Sequence, residues 1–175
     1  MSDYGGAGGA RTQSAAFVAV IDDDEAARLS IGQMLRLRGY RVEMFSSAEA
    51  ALARPGIHEA DCILCDVKMP GMSGEEFLAE AVRRPNFPPV VIVTGHGDIS
   101  MAVRCLKAGA YDFLEKPFED EVLLARVARA VERTAMRRES EEIRKRLRML
   151  APSEEGRFGM VGRSQAMQDL YAQIE

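Results

Sequence analysis

Five short apolar stretches that alternate with segments of helical periodicity constrain what this chain can fold into. The first, third and fourth are continuous and rich in β-branched residues, which is typical of strands buried on both faces of a parallel sheet. The intervening segments place apolar residues three or four positions apart, as one face of a helix does. The alternation predicts a doubly wound α/β domain of about 120 residues. The stretches are residues 17–21, 42–45, 62–65, 90–93 and 111–114.

Local signals indicate where several of the predicted helices begin and end. Gly39 and Gly109 each follow a segment of helical spacing, and glycine readily takes the left-handed conformation that ends a helix. Ser47 can cap a short helix that extends through Leu52. Residues 119–150 hold neither Gly nor Pro, so the sequence predicts one long helix there.

The second half of that long helix differs in character from the first. Residues 132–149 hold eleven charged side chains, seven basic and four acidic, while Ile143 and Leu147 keep an apolar spacing. Val127 and Val131 form an earlier seam in a different heptad frame, so a stutter is implied. A solvated terminal helix and a dimeric coiled-coil linker both fit, and the apolar residues beyond the reach of the sheet favour the linker. The interspersed acids disfavour a DNA-binding basic helix.

Composition excludes several classes of protein. No apolar run approaches the roughly 20 residues that span a bilayer, and residues 1–15, expected to be flexible, lack the features of a signal peptide. The net charge of −4 argues against nucleic-acid binding by bulk electrostatics. Three cysteines, an odd number, indicate reduced thiols and a cytoplasmic location.

The long predicted helix ends at residues 151–156, which contain a proline and a glycine. A new amphipathic segment begins at residue 158 and predicts the start of a second domain.

Reactive side chains follow four of the predicted strands. Asp22 and Asp23 follow the first, Asp66 the third, Thr94 the fourth and Lys116 the fifth. Such groups gather at the carboxyl ends of the strands in an open parallel sheet, so these side chains are expected to lie together. Oxygen ligands alone select a hard cation, and Mg²⁺ fits because it takes a few carboxylates and retains waters that a phosphate can displace. The lysine and the hydroxyl suit the oxygens of a phosphoryl group.

Each of these features also has a purely structural interpretation. An acidic run after a strand often caps a helix, as Asp24 does if it begins the first helix, and a strand-end Thr or a Lys-Pro pair is commonly part of a turn. His96 fits a solvent-facing loop better than a ligand. Cys62 and Cys65 form a C-x-x-C motif, but positions i and i+3 of a strand point to opposite faces, so a redox pair is not expected.

Four motifs make the sequence resemble the receiver domain of two-component response regulators over residues 16–135. The resemblance implies a flavodoxin-like fold with a five-stranded parallel sheet in the order 2-1-3-4-5 and a C-terminal extended helix. It also implies a regulatory switch rather than an enzyme acting on other substrates. The motifs are Val20-Ile-Asp-Asp-Asp24, Asp66-Val-Lys-Met-Pro-Gly-Met-Ser-Gly74, Val93-Thr-Gly95 and Gly109-Ala-Tyr-Asp-Phe-Leu-Glu-Lys-Pro-Phe118.

The resemblance assigns the phosphorylation site residue by residue. Asp66 matches the aspartate that accepts a phosphoryl group from a sensor histidine kinase. Asp22 and Asp23 match the acidic pair that holds Mg²⁺ together with Asp66 and the Lys68 backbone carbonyl. Lys116 matches the lysine whose bond to the following proline is usually cis.

The resemblance also implies how the signal leaves the site. Thr94 and Phe113 match the hydroxyl and the aromatic side chain that move on phosphorylation. The expected consequence is a rearranged homodimer on the face formed by the fourth helix, the fifth strand and the fifth helix. The linker residues expected in that dimer are Val127, Val131, Ile143 and Leu147.

Three stretches are similar to one subgroup, the NtrC-type sigma-54-dependent activators, and most of all to their C4-dicarboxylate transport regulators. The first two are Thr94-Gly-His-Gly-Asp-Ile99 and Ala110-Tyr-Asp-Phe-Leu-Glu-Lys-Pro-Phe118; the third, 160–167, is similar to the start of their AAA+ ATPase domain. Residues 136–157 would then be a dimerisation linker and 158–175 the beginning of that domain. The parent protein would act on DNA with sigma-54 RNA polymerase. The sequence has no G-x-x-x-x-G-K-[ST] phosphate loop, so this chain is not expected to hydrolyse ATP.

Two other functions fit parts of the same pattern. A phosphohydrolase of the haloacid-dehalogenase kind also uses a strand-1 Asp-x-Asp, a strand-end Thr and a Lys, and would make Asp22 the nucleophile instead of Asp66. It needs a further acidic motif and usually a cap, for which we see no room in the sequence. The third hypothesis is a receiver that dimerises without phosphorylation, and the complete set of site residues argues against it.

Overall fold

The computed structural model describes residues 15–95 and 99–150. Within them, five parallel strands form one sheet in the order β2-β1-β3-β4-β5, which confirms the predicted doubly wound fold. The elements are β1 (Phe17–Ile21), α1 (Glu25–Leu37), β2 (Arg41–Phe45), α2 (Ala48–Ala53), a 3-10 turn (Ile57–Glu59), β3 (Cys62–Asp66), α3 (Gly74–Val82), β4 (Val90–Thr94), α4 (Ile99–Lys107), β5 (Asp112–Glu115) and α5 (Asp120–Leu150).

The helix ends follow the signals in the sequence. The Asp24 carboxylate caps α1 by accepting from the backbone N–H groups of the second and third residues after it, so its structural interpretation is confirmed. The Ser47 side chain caps α2 by accepting the Ala50 N–H. Gly39 and Gly109 have φ angles of +86° and +107°, the left-handed conformation that ends α1 and α4. The long helix α5 is also confirmed.

The core consists of two layers, one on each face of the sheet. Residues of α1 and α5 cover one face, and residues of α2, α3 and α4 cover the other. Successive strand residues alternate between the layers, as the pleat requires. Cys62 therefore lies in the α1/α5 layer and Cys65 in the other layer, which confirms that they do not form a redox pair.

The first part of α5 belongs to the receiver core. Leu123 and Val127 are fully buried in the α1/α5 layer, and Val131 packs against it. The Thr134 hydroxyl donates to the Asp61 carbonyl at 2.8 Å. Val127 therefore has no exposed surface for the dimer contact expected from the sequence. The sheet of its own chain covers it, and this corrects that expectation.

By its internal contacts the chain divides into one unit through Ala135 and a second from Met136. In the described part of the second unit, Ile143 and Leu147 are 51% and 61% exposed. No helix in the described residues is both long and apolar enough to span a bilayer. The predictions for the N-terminal segment, for His96 and for residues 151–175 lie outside the described residues.

Candidate functional site

Three carboxylates meet at the carboxyl edge of the sheet. Asp22 and Asp23 follow β1, and Asp66 ends β3, which is the neighbouring strand, paired through Ile21 and Cys65. Each of the three carboxylates offers an oxygen within 4.8 Å of the others. The topology thus brings together residues more than forty positions apart, as the strand-end argument predicted.

Asp22 lies at the floor of the site. It is 2% exposed; its Oδ1 accepts the Asp24 N–H at 2.9 Å and its Oδ2 accepts from Lys116 Nζ at 2.6 Å. Burial raises the pKa of the Asp22 carboxyl above its usual value, and the bond from Lys116 offsets only part of that effect. The ionised Asp22 side chain is therefore a costly group in the folded protein.

Lys116 faces two of the carboxylates. It follows β5, and the Lys116–Pro117 peptide bond is cis, as the resemblance implied. Its backbone N–H donates to the Thr94 carbonyl at 2.8 Å, and its Nζ lies 3.3 Å from Asp66 Oδ2. Burial by itself would lower the pKa of Lys116, but the carboxylates of Asp22 and Asp66 outweigh it and raise that pKa.

Asp66 is the more accessible carboxylate beside that lysine, with 12% of its side chain exposed against 3% for Asp22. Its Oδ1 accepts the Lys68 backbone N–H at 3.3 Å. The Gly74 N–H donates to the Val67 carbonyl at 2.9 Å and closes the loop that follows β3. A Cβ at position 74 would collide with the Asp66 carbonyl oxygen, so only glycine lets α3 start this close to Asp66.

Thr94 and Phe113 lie on one face of the sheet. Thr94 ends β4 and is fully buried. Phe113 pairs with Ile92 in the β4–β5 register, and Thr94 is two residues beyond Ile92, so both side chains point toward the α2/α3/α4 layer. Phe113 is only partly buried against that layer. It therefore has room to change its degree of burial.

Two residues that contact the site region were not singled out by the sequence. Arg28, one turn into α1, donates from Nη1 to the Asp22 carbonyl at 2.6 Å and to the Asp23 carbonyl at 3.3 Å. Glu49, on α2, accepts the Met72 N–H at 2.7 Å. The only signal for Arg28 is a cation near the acidic run in sequence. Glu49 gives none, because its partner lies 23 positions away.

The donor set fits a hard divalent cation. The site holds three carboxylates and one lysine, so with all of them ionised these four side chains carry two excess negative charges, and every candidate ligand atom of the three carboxylates is an oxygen. A cation with oxygen preference, such as Mg²⁺, suits this set, whereas a thiophilic metal does not.

Comparisons with known proteins find the family that the sequence resembles. The family described as "Response regulator receiver domain" matches residues 18–128. Nodulation protein W of Bradyrhizobium diazoefficiens is 40% identical over 140 residues, which cover 79% of this chain and 62% of that protein. The C4-dicarboxylate transport transcriptional regulatory protein DctD of Pseudomonas aeruginosa is 38% identical over 162 residues, which cover 90% of this chain and 33% of that protein. This chain thus spans less than two thirds of either protein.

A solved structure is similar as well. The crystal structure of FixJ-N superposes with a TM-score of 0.61 at 42% sequence identity, covering 67% of this chain and 94% of that one. The receiver resemblance seen in the sequence is thereby confirmed.

Proposed function

Because the chain belongs to the response regulator receiver domain family, we propose that it is a phosphorylation switch whose Asp66 accepts a phosphoryl group from a sensor histidine kinase. The observation that best supports this is the position of the Asp66 carboxylate, which is partly exposed and bonded to Lys116 at 3.3 Å. Asp22 is the less suitable nucleophile because only 3% of its side chain is exposed, against 12% for Asp66. The hydrogen bonds that the Asp22 oxygens accept are also shorter, at 2.9 and 2.6 Å, whereas both bonds to Asp66 are 3.3 Å long. The haloacid-dehalogenase hypothesis, which needs Asp22, loses its support.

The proposed reaction is an in-line transfer between a phosphohistidine and the carboxylate. An Asp66 oxygen forms the new P–O bond while the P–N bond to the kinase histidine breaks, and the imidazole keeps the electron pair and later takes a proton from solvent. Lys116 stabilises the charge on one phosphoryl oxygen, and the Thr94 hydroxyl donates to another. The chain contributes mainly position and charge, as is general for phosphoryl transfer.

Asp22, Asp23, Asp66 and the Lys68 carbonyl are the residues that would hold Mg²⁺. The bound ion would neutralise phosphoryl and carboxylate charge during the transfer. Lys116 alone does not balance three carboxylates, which is the argument from this site for a divalent cation.

The proposed output is a change of the face formed by α4, β5 and α5. Phosphorylation would draw Thr94 toward the new phosphoryl oxygens, and Phe113 would fill the space that the hydroxyl vacates. The partial burial of Phe113 supports this movement. A homodimer that uses this face would then re-pair.

Incubation with acetyl phosphate and Mg²⁺, followed by intact mass, tests the phosphoacceptor. We expect one added phosphoryl group on the wild type and none on Asp66→Asn. Glu80→Gln, the same change on the exposed side of α3, is the control and should be labelled normally. Labelling of Asp66→Asn at the wild-type rate would refute the assignment. An unlabelled wild type would favour a receiver that only dimerises.

The linker belongs to the proposal as well. We propose that residues 136–157 join two chains through Ile143 and Leu147, which are apolar, spaced as in a heptad and more than half exposed. Replacing both with Lys should shift sedimentation toward the monomer while leaving receiver unfolding unchanged. An unchanged sedimentation profile would refute the linker dimer.

The parent protein is proposed to be a sigma-54-dependent activator in which residues 158–175 begin an AAA+ domain. The match with DctD of Pseudomonas aeruginosa supports it, because 90% of 175 residues cannot be covered contiguously without passing position 150. The alternative is a parent without that domain. The match with Nodulation protein W covers 79% of this chain, so it need not extend past position 150. Sequencing the gene beyond codon 175 distinguishes these two kinds of parent. A downstream G-x-x-x-x-G-K-[ST] loop is expected, and a short continuation without one would refute the proposal.

A further inference from the structure

The loop between β3 and α3 carries the backbone of the proposed phosphorylation site, and it is fastened at both ends. At its start, Met69 is 8% exposed and packs into the α2/α3/α4 layer. At its end, Ser73 and Glu76 form a capping box at the beginning of α3. The segment between these anchors, residues 70–72, is exposed or partly exposed, and only the Met72 side chain within it packs against the same layer.

Glu49 supplies a third fastening from a different element. It lies in the first turn of α2, and its Oε1 accepts the Met72 backbone N–H at 2.7 Å. Hydrogen bonds from its own backbone N–H and from Met72 lower the pKa of the Glu49 carboxyl. The bond is therefore made by the ionised side chain at neutral pH, which makes it stronger than a neutral one.

Gly71 makes this approach possible. Its φ is +77°, which a residue with a side chain rarely adopts. A Cβ at position 71 would lie 2.5 Å from Glu49 Oε1 and 3.4 Å from its Cδ. Because Gly71 has no side chain, the Glu49 carboxylate can occupy that space. Two features of the loop, the Met72 N–H and the glycine at position 71, therefore accommodate this carboxylate.

The fastened segment is linked to the reacting carboxylate. Lys68, four positions before Met72, donates its backbone N–H to Asp66 Oδ1 at 3.3 Å. That distance is near the limit for a hydrogen bond, so small shifts of the loop change it. The Lys68 carbonyl, one of the proposed Mg²⁺ ligands, moves with the same peptide chain.

We propose that Glu49 is a positioning residue for phosphorylation: its carboxylate holds the loop at Met72 and thereby sets the orientation of Asp66 and of the Lys68 carbonyl. The inference rests on the proposed function of Asp66. Glu49 itself contacts no reacting atom. Its effect reaches the site through the backbone of residues 68–72.

Glu49→Ala, Glu49→Gln and the control Glu80→Ala test this. Glu49→Ala should lower the rate of labelling by acetyl phosphate about five- to tenfold and raise the Mg²⁺ concentration at half-maximal rate. Glu49→Gln keeps an acceptor oxygen and should recover most of the rate. Glu80→Ala should behave as the wild type. In protein without Mg²⁺, the Met72 amide should exchange with solvent faster in Glu49→Ala than in either of the others.

Three results would overturn the inference. They are a wild-type labelling rate in Glu49→Ala, an unchanged exchange rate at the Met72 amide, and an equal loss of rate in Glu49→Gln and Glu49→Ala with equally lowered thermal stability. The last would mean that Glu49 only stabilises the fold. If the wild type is not labelled at Asp66, the proposed function fails, whereas amide exchange still tests the contact itself.

Discussion

Replacing Gly74 with Ala should disturb both the fold and the proposed phosphorylation site. A Cβ at position 74 would lie 2.9 Å from Val67 Cα and 3.0 Å from the Asp66 carbonyl carbon, and closer still to the Asp66 carbonyl oxygen. All of these atoms are backbone, so no side chain can rotate away. The start of α3 or the end of β3 must move, and either movement strains the bond from the Gly74 N–H to the Val67 carbonyl.

The expected destabilisation is about 2 kcal/mol. Overpacking in a close-packed region costs about 1–3 kcal/mol, and the weakened backbone hydrogen bond adds about 1 kcal/mol. Alanine in place of glycine at the first position of a helix returns at most about 1 kcal/mol. For a domain of this size the net change lowers the thermal midpoint by roughly 8 °C.

Thermal unfolding and acetyl phosphate labelling measure the two consequences together. Gly95→Ala is the matched control for stability, since apart from its chain neighbours no atom of the described residues lies within 4 Å of a Cβ built there. Its unfolding should stay within about 0.5 kcal/mol of the wild type. Gly74→Ala should also be labelled more slowly, because the displaced backbone carries Asp66. A variant as stable and as quickly labelled as the wild type would refute the reasoning.

Three further predictions concern the charges and the core. Asp22→Asn should raise the thermal midpoint at pH 7, because burial raises the pKa of Asp22 and makes its ionised form costly. A raised pKa means that the wild type loses stability as pH rises, so the advantage of the variant over the wild type should shrink toward pH 4. A lower midpoint for the variant at pH 7 would contradict this. Lys116→Met should cost about 1–2 kcal/mol in urea unfolding without Mg²⁺, a figure reduced for the 22% exposure of the side chain. The raised pKa of Lys116 means that this cost should fade above about pH 10, and an unchanged midpoint would contradict it. Val127→Ala should lower the free energy of unfolding by about 1–3 kcal/mol because the side chain is fully buried. Leu147→Ala, the control, should change it by less than about 0.5 kcal/mol. Equal losses for the two variants in urea unfolding would contradict the assignment of Val127 to the core.

Most of the fold and the centre of the site were predictable because local signals agree with the topology. Each strand was predicted within one residue of its observed bounds, since a buried parallel strand is a continuous apolar run. Asp22, Asp66 and Lys116 could be grouped without a structure because strand ends share one edge of the sheet.

The contacts that were missed or mistaken depend on geometry that periodicity does not contain. An apolar residue such as Val127 has the same spacing whether a helix packs on its own sheet or on a second chain. The bond of Glu49 to Met72 joins two elements with no strand pairing between them, so no sequence pattern marks it. The approach of Arg28 to the Asp22 carbonyl depends on how α1 turns after its cap.

The charges at the sheet edge explain why a site of this kind needs more than its lysine. Asp22, Asp23 and Asp66 bring three negative charges within 4.8 Å of one another, and Lys116 returns one positive charge. A phosphoryl donor adds further negative charge at Asp66, so the chain by itself repels the group it is proposed to accept. Burial adds to this repulsion the cost of keeping Asp22 ionised in the folded protein. A divalent cation cancels the two excess charges before the phosphoryl group arrives. On this reasoning, labelling of Asp66 should fall steeply when Mg²⁺ is removed and should change much less when monovalent salt is raised, because the interacting groups lie closer together than the screening distance of salt.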